Sequence, residues 1–183
     1  MRLQSKTLQN KENSVSSRAD KAKELFENGY NCAQATLGAF SDLIGLDFDT
    51  AMKLSSSFGG GMGKLREVCG AVSAMFMIAG MLKGYSTPET GEIKAQHYKL
   101  IQDLAKKFKE ENGSIICAEL LGMSNSPSPT GEGAAAGEGL PVGEKYYVPS
   151  ARTEEYYKTR PCSMLVYSAA RIIEEELIYL LER

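Results

Sequence analysis

Residues 68–82, VCGAVSAMFMIAGML, form the longest uncharged run in the chain and lie between Glu67 and Lys83. The run is shorter than the roughly 20 apolar residues that cross a bilayer. It therefore reads as a helix buried in protein, with no membrane insertion. A helix that is apolar all round needs neighbours on every side, so the flanking sequence should supply amphipathic helices.

The flanks carry that pattern. Toward the N-terminus, Ser16 or Ser17 can cap a helix to about Asn28, with Ala22, Leu25 and Phe26 turned inward. A second helix is predicted from Asn31 to Ile44 and a third from Asp47 or Asp49 to near Phe58. Gly59 to Gly63, GGGMG, is a loop able to take positive φ and approach another group closely. Toward the C-terminus, Thr87-Pro88-Glu89 opens a long amphipathic helix to about Glu111, and a short helix follows from Ser114 to Leu121. The last helix is predicted from Pro161 to about Leu181, with a stripe from Leu165 through Ile172 and Ile173 to Leu180. Glu174-Glu175-Glu176 reads as its solvated face. Met75, Met77 and Met81 read as core filling.

The expected fold is all-α, a single-domain helical bundle of about six helices. Residues 1–15 are polar and patternless and read as a flexible tail before the helical domain of residues 16–183. Within that domain, residues 123–159 are rich in Ser, Pro, Gly and Ala and read as a long irregular excursion before the last helix. The chain has 23 acidic and 21 basic residues, a formal net charge of −2. That balance lacks the basic footprint of a nucleic-acid binder. The N-terminal residues contain no continuous apolar stretch, so a cytoplasmic protein is expected.

The chemistry rests on four cysteines: Cys32, Cys69, Cys117 and Cys162. Each falls just inside a predicted helix N-terminus, where the helix dipole favours a thiolate. There is no CxxC pair, so a shared site must be assembled in space from four separate helices. A buried cysteine can also be an inert small hydrophobe. The glycine loop matches neither a dinucleotide nor a P-loop fingerprint. Its N–H groups could instead face a sulfur anion, which makes Gly59, Gly60, Gly61 and Gly70 candidate cofactor-binding residues. His97, the single histidine, lies on the apolar face of its helix and reads as a core residue.

The segments GYNCAQATLGAF, SFGGGMGKLREVCGAVSA, CAELLG and RPCSMLVYSAARIIEE resemble the redox-active family named for its cysteine pattern, C_GCAxxG_C_C. The likeness covers residues 18–122 and 160–181. It implies a small helical protein with redox function, its four characteristic cysteines falling on Cys32, Cys69, Cys117 and Cys162. A related domain accompanies multihaem cytochromes of the split-Soret type. The present chain has no CxxCH, so no covalent haem is expected. The core motif reads Cys69-Gly70-Ala71-Val72-Ser73-Ala74, with alanine where the family has its last glycine.

Three uses of the cysteines stay open at this level. The first is an iron–sulfur or other metal-thiolate site for electron transfer or redox sensing. The second is metal-free thiol–disulfide chemistry, with the four cysteines themselves redox-active. The third is a structural zinc site made by all four cysteines, without catalysis. A redox partner protein is expected in the first two, and a homodimer is compatible with the sequence.

Overall fold

The computed structural model describes residues 17–88, 91–123 and 147–178. Among them are eight helices: α1 (Arg18–Glu27), α2 (Cys32–Gly38), α3 (Phe48–Ser56), α4 (Gly70–Lys83), α5 (Gly91–Asn112), α6 (Cys117–Leu120), α7 (Glu154–Thr159) and α8 (Cys162–Ile173). A π-helical turn, Glu174–Ile178, continues α8. The fold is all-α, as the sequence implies. Six longer helices are joined by two short ones, α6 and α7, so the expected count of about six is approximate. The expected tail of residues 1–15 and most of the excursion, residues 124–146, lie outside the described residues. None of the described helices is long and apolar enough to cross a membrane.

Three boundaries differ from the sequence reading. Helix α2 stops at Gly38, and residues 39–45 turn instead of reaching Ile44 as helix. There Phe40 N–H donates to the Leu37 carbonyl, a tighter bond than the helical one. Helix α4 starts at Gly70 rather than near Glu67, because the backbone just before it pairs with the segment ahead of α6 in an isolated antiparallel bridge, Val68 with Ile116. Cys69 N–H donates to Ile115 O at 2.8 Å, and Cys117 N–H donates to Glu67 O at 2.7 Å. That pairing also shortens α6, which starts at Cys117 rather than Ser114. Helix α7 falls where the charged stretch of residues 150–159 is expected to form a helical turn, and the Thr153 side chain caps it.

The core is built around α4. Val72, Met75, Ile78 and Ala79 are fully buried, packed with Leu37 and Phe40 of the α2 region, Leu104 and Phe108 of α5, and Val166, Ile172 and Ile173 of α8. The most extensive helix contacts are α1 with α8 and α2 with α4. Both pairs bury small side chains: Ala19 and Ala22 of α1, Ala169 and Ala170 of α8, Ala33 and Ala35 of α2, and Gly70, Ala71 and Ala74 of α4. Small residues let helix axes approach closely. The far end of α4 is not buried all round, since Met81 is 53% exposed and therefore not core filling.

The glutamate run is not a uniformly solvated face. Glu174 is buried and caps α1 from the far end of the domain, accepting from Arg18 N–H at 2.7 Å and Ala19 N–H at 3.3 Å. With Ser17 Oγ accepting from Asp20 N–H, the first-turn donors of α1 are satisfied. Glu175 and Glu176 pair with Lys107, and Glu175 also with Arg171. A buried carboxylate on two otherwise orphaned donors gives a direct expectation. Replacement of Glu174 by alanine should lower stability by about 2 kcal/mol or more, read as a fall in the urea midpoint at unchanged slope. Glu174→Gln, which keeps an acceptor, should lose less. Equal midpoints for wild type and the alanine variant would show that water replaces the carboxylate.

Candidate functional site

The four cysteines start from four different helices and meet at one place. Cys32 is the first residue of α2, whose start is fixed by a complete capping box. Asn31 Oδ1 accepts from Ala33 and Gln34 N–H, and Gln34 Oε1 accepts from Asn31 N–H. Cys69 caps α4, Cys117 opens α6 and Cys162 opens α8 immediately after Pro161. Every pair among the four thiols interacts electrostatically, so the cluster is common to all of them. Cys69, Cys117 and Cys162 are buried, and Cys32 is partly exposed.

Two of the candidate glycines, Gly61 and Gly70, stand at this cluster. A Cβ on Gly61 would come within 2.7 Å of the Cys117 Cβ and 2.9 Å of the Glu67 backbone. A Cβ on Gly70 would come within 2.7 Å of the Phe58 carbonyl oxygen, 3.2 Å of Ala33 N and 3.3 Å of the Cys32 Cβ. Gly59 runs against the capping side chain of Asn31, and Gly60 lies in the same loop at positive φ. His97 is elsewhere: its ring stands edge-on to Tyr85, and its buried Nδ1 has no hydrogen-bond partner among the described residues.

The helix-start argument for four stabilised thiolates fails for three of them. Burial pushes Cys69 up to about 12, although the N–H groups of Ala71 and Val72 pull the other way. Burial also raises Cys117, against the guanidinium of Arg66, whose Nη1 lies 3.8 Å from the Cys117 sulfur. Cys162 alone is lowered, to about 7. The main cause is a hydrogen bond from the Cys32 thiol; Arg160, Arg152 and Arg66 add attraction for the thiolate and oppose burial. As the donor in that bond, and desolvated beside the other three thiols, Cys32 is raised well above the ordinary thiol value. The result is an unequal pair, a thiolate at Cys162 and a proton held at Cys32.

Four thiols are the donor set of iron–sulfur and zinc centres. Among the described residues, however, no group of three or more His, Cys, Asp or Glu side chains is placed to hold a metal ion. A closed four-cysteine site around one zinc is therefore not preformed.

Beside the cysteines lies an open cleft of about 280 Å³ that sequence reasoning missed. Lys64, Arg66, Arg152, Arg160 and Tyr156 line it, together with glycines of the loop. Two signals were available: Arg66 follows the glycine loop, and Arg160 stands two residues before Cys162. Arg152 had none, because it falls in the stretch read as an irregular excursion.

The unequal pair sets an order of reactivity. At pH 7, iodoacetamide should alkylate Cys162 first, its rate rising as pH increases through about 7, and native Cys69 should resist. In Cys32→Ala the midpoint should move up toward an ordinary thiol, since the hydrogen-bond donor is gone. Peptide mass spectrometry across a pH series reads both effects, and an unshifted midpoint in that variant would refute the pairing.

A family model described as "Putative redox-active protein (C_GCAxxG_C_C)" matches residues 30–176, a stretch that contains all four cysteines. No curated protein and no solved structure matches the chain.

Proposed function

The chain belongs to the C_GCAxxG_C_C family of putative redox-active proteins, and from that premise we propose that it works by thiol–disulfide exchange at Cys162 and Cys32. What supports this reading is the meeting of the two thiols in one cluster with opposed acidities, Cys162 lowered and Cys32 raised. The Cys162 thiolate attacks one sulfur of a disulfide, forming a mixed disulfide and expelling the other sulfur as a thiolate. Cys32 then gives up its proton and attacks the Cys162 sulfur. The second substrate thiolate leaves, and a Cys32–Cys162 disulfide remains. Overall the protein dithiol loses two electrons and two protons, and the substrate disulfide becomes two thiols. The reverse sequence oxidises a dithiol partner. Low acidity suits Cys32 to the second step, because it stays protonated until the mixed disulfide has formed.

The convergence of all four cysteines supports a second reading, an iron–sulfur cluster held by Cys32, Cys69, Cys117 and Cys162. When bound, such a cluster would supply one-electron transfer. In this reading Gly61 and Gly70 leave room at the thiolates, and the buried setting excludes water from them.

Anaerobic purification separates the two. Under the exchange reading, the protein is colourless and free of stoichiometric iron, sulfide and zinc. Mild oxidation then removes two titratable thiols, and mass spectrometry places the new disulfide at Cys32–Cys162. Cys162→Ser should abolish that bond, whereas Cys69→Ser should leave it. Brown protein with iron and acid-labile sulfide, lost in Cys69→Ser, would transfer the assignment to the cluster.

A further inference from the structure

The cleft beside the cysteines has a charge opposite to that of the chain as a whole. The protein carries a net charge of −2, yet among the described residues Lys64, Arg66, Arg152 and Arg160 all line this one opening and no carboxylate does. Among those residues, too, none of the three arginines is paired with an acid. Arg66 reaches the Cys117 sulfur. Arg152 donates to the Phe26 and Tyr30 carbonyls and stacks on Phe26 and Tyr156. Arg160 stacks on the ring of Tyr156 as well, at 4.9 Å. Cation–π contacts and carbonyl bonds position a guanidinium without neutralising it, and the one anionic group that the three share is the Cys162 thiolate.

The backbone that carries two of these cations is strained. Gly60, Gly61, Met62, Gly63 and Lys64 have consecutive positive φ values, and Arg66 follows at 69°. Met62, Lys64 and Arg66 are not glycines, so each holds a conformation that L side chains rarely adopt. Strain of this kind persists where the surroundings enforce it, and it concentrates at ligand sites. Here it places Lys64 and Arg66 on the same opening as Arg152 and Arg160, which arrive from a distant part of the chain.

We propose that this cleft is a binding site for a small oxyanion-bearing ligand, a phosphate or carboxylate compound held by Arg66, Arg152, Arg160 and Lys64 beside the cysteine cluster. Planar guanidinium groups match the geometry of both oxyanions. The volume, about 280 Å³, lies at the small end for ligand pockets and suits a small molecule rather than a folded domain. Tyr156 joins the two sites, since it lines the cleft and also interacts electrostatically with Cys162 and Cys32. A ligand bound here would sit next to the redox-active pair.

The test is calorimetric titration of the full-length reduced protein with inorganic phosphate, pyrophosphate and citrate at constant ionic strength. Saturable binding of the phosphates alone assigns a phosphate ligand, and of citrate alone a carboxylate ligand; binding of all three assigns an oxyanion site without preference. Arg160→Met and Lys64→Gln, each checked by circular dichroism for an intact fold, should weaken binding roughly tenfold. The bound anion should also protect Arg66 and Arg160 of the wild type from phenylglyoxal. No saturable binding of any of the three, or binding that both folded variants retain in full, overturns the proposal. Cys162→Ser should still bind the anion saturably, so failure of the thiol chemistry and failure of the anion site are read separately.

Discussion

Gly70 lies against the Phe58 carbonyl and the first turn of α2, with no room for even a methyl group between them. The rest of the site depends on that approach. It brings the start of α4 to the start of α2, and so Cys69 to Cys32. The neighbouring small residues, Ala33, Ala71 and Ala74, extend the close contact into the core. Because α8 packs on α1, α2 and α4 alike, Cys162 is delivered to the same point. Cys117 arrives by another route, through the isolated bridge of Val68 with Ile116 and the backbone bonds on either side of it.

Once gathered, the thiols compete with one another and with their surroundings. A helix start favours a thiolate by a fraction of a kcal/mol to about 2 kcal/mol. Removing the anion from water works against it and, for a fully buried group, can be worth several pKa units. Burial wins at Cys69, which is raised to about 12, and it wins at Cys117. Only at Cys162, where a neighbouring thiol donates and three guanidinium groups lie close, is the balance reversed. Chemical asymmetry among four superficially equivalent cysteines is thus a product of where the arginines and one proton are held.

The glycine loop serves both neighbours of the cluster. Its Gly61 makes space for the Cys117 side chain, while its strained continuation presents Lys64 and Arg66 to the cleft. The chain segment that closes the other side brings Arg152 and Arg160 and is anchored by stacking on Phe26 and Tyr156. The cationic cleft and the thiols are therefore built from shared elements, and a change in one is felt in the other.

The apolar run of residues 68–82, the capping residues Ser17, Asn31 and Asp47 and the periodic stripes by themselves determined an all-α bundle, with each cysteine at or beside a helix start. These are local properties, carried by residues within a few turns of one another. The ends of α2, α4 and α6 were misjudged for two reasons. At α2 a tighter local turn took over after Gly38, and at α4 and α6 backbone bonds across 40 to 50 residues, such as that from Cys117 to Glu67, replaced helical ones. Glu174 was misread because its partners, at Arg18 and Ala19, are more than 150 residues away. Only the tertiary structure decided that Cys32 pairs with Cys162, that three thiols resist ionisation and that four cations share one cleft. Pairing, burial and local potential depend on which distant residues share a small volume, and no local pattern in the chain encodes that.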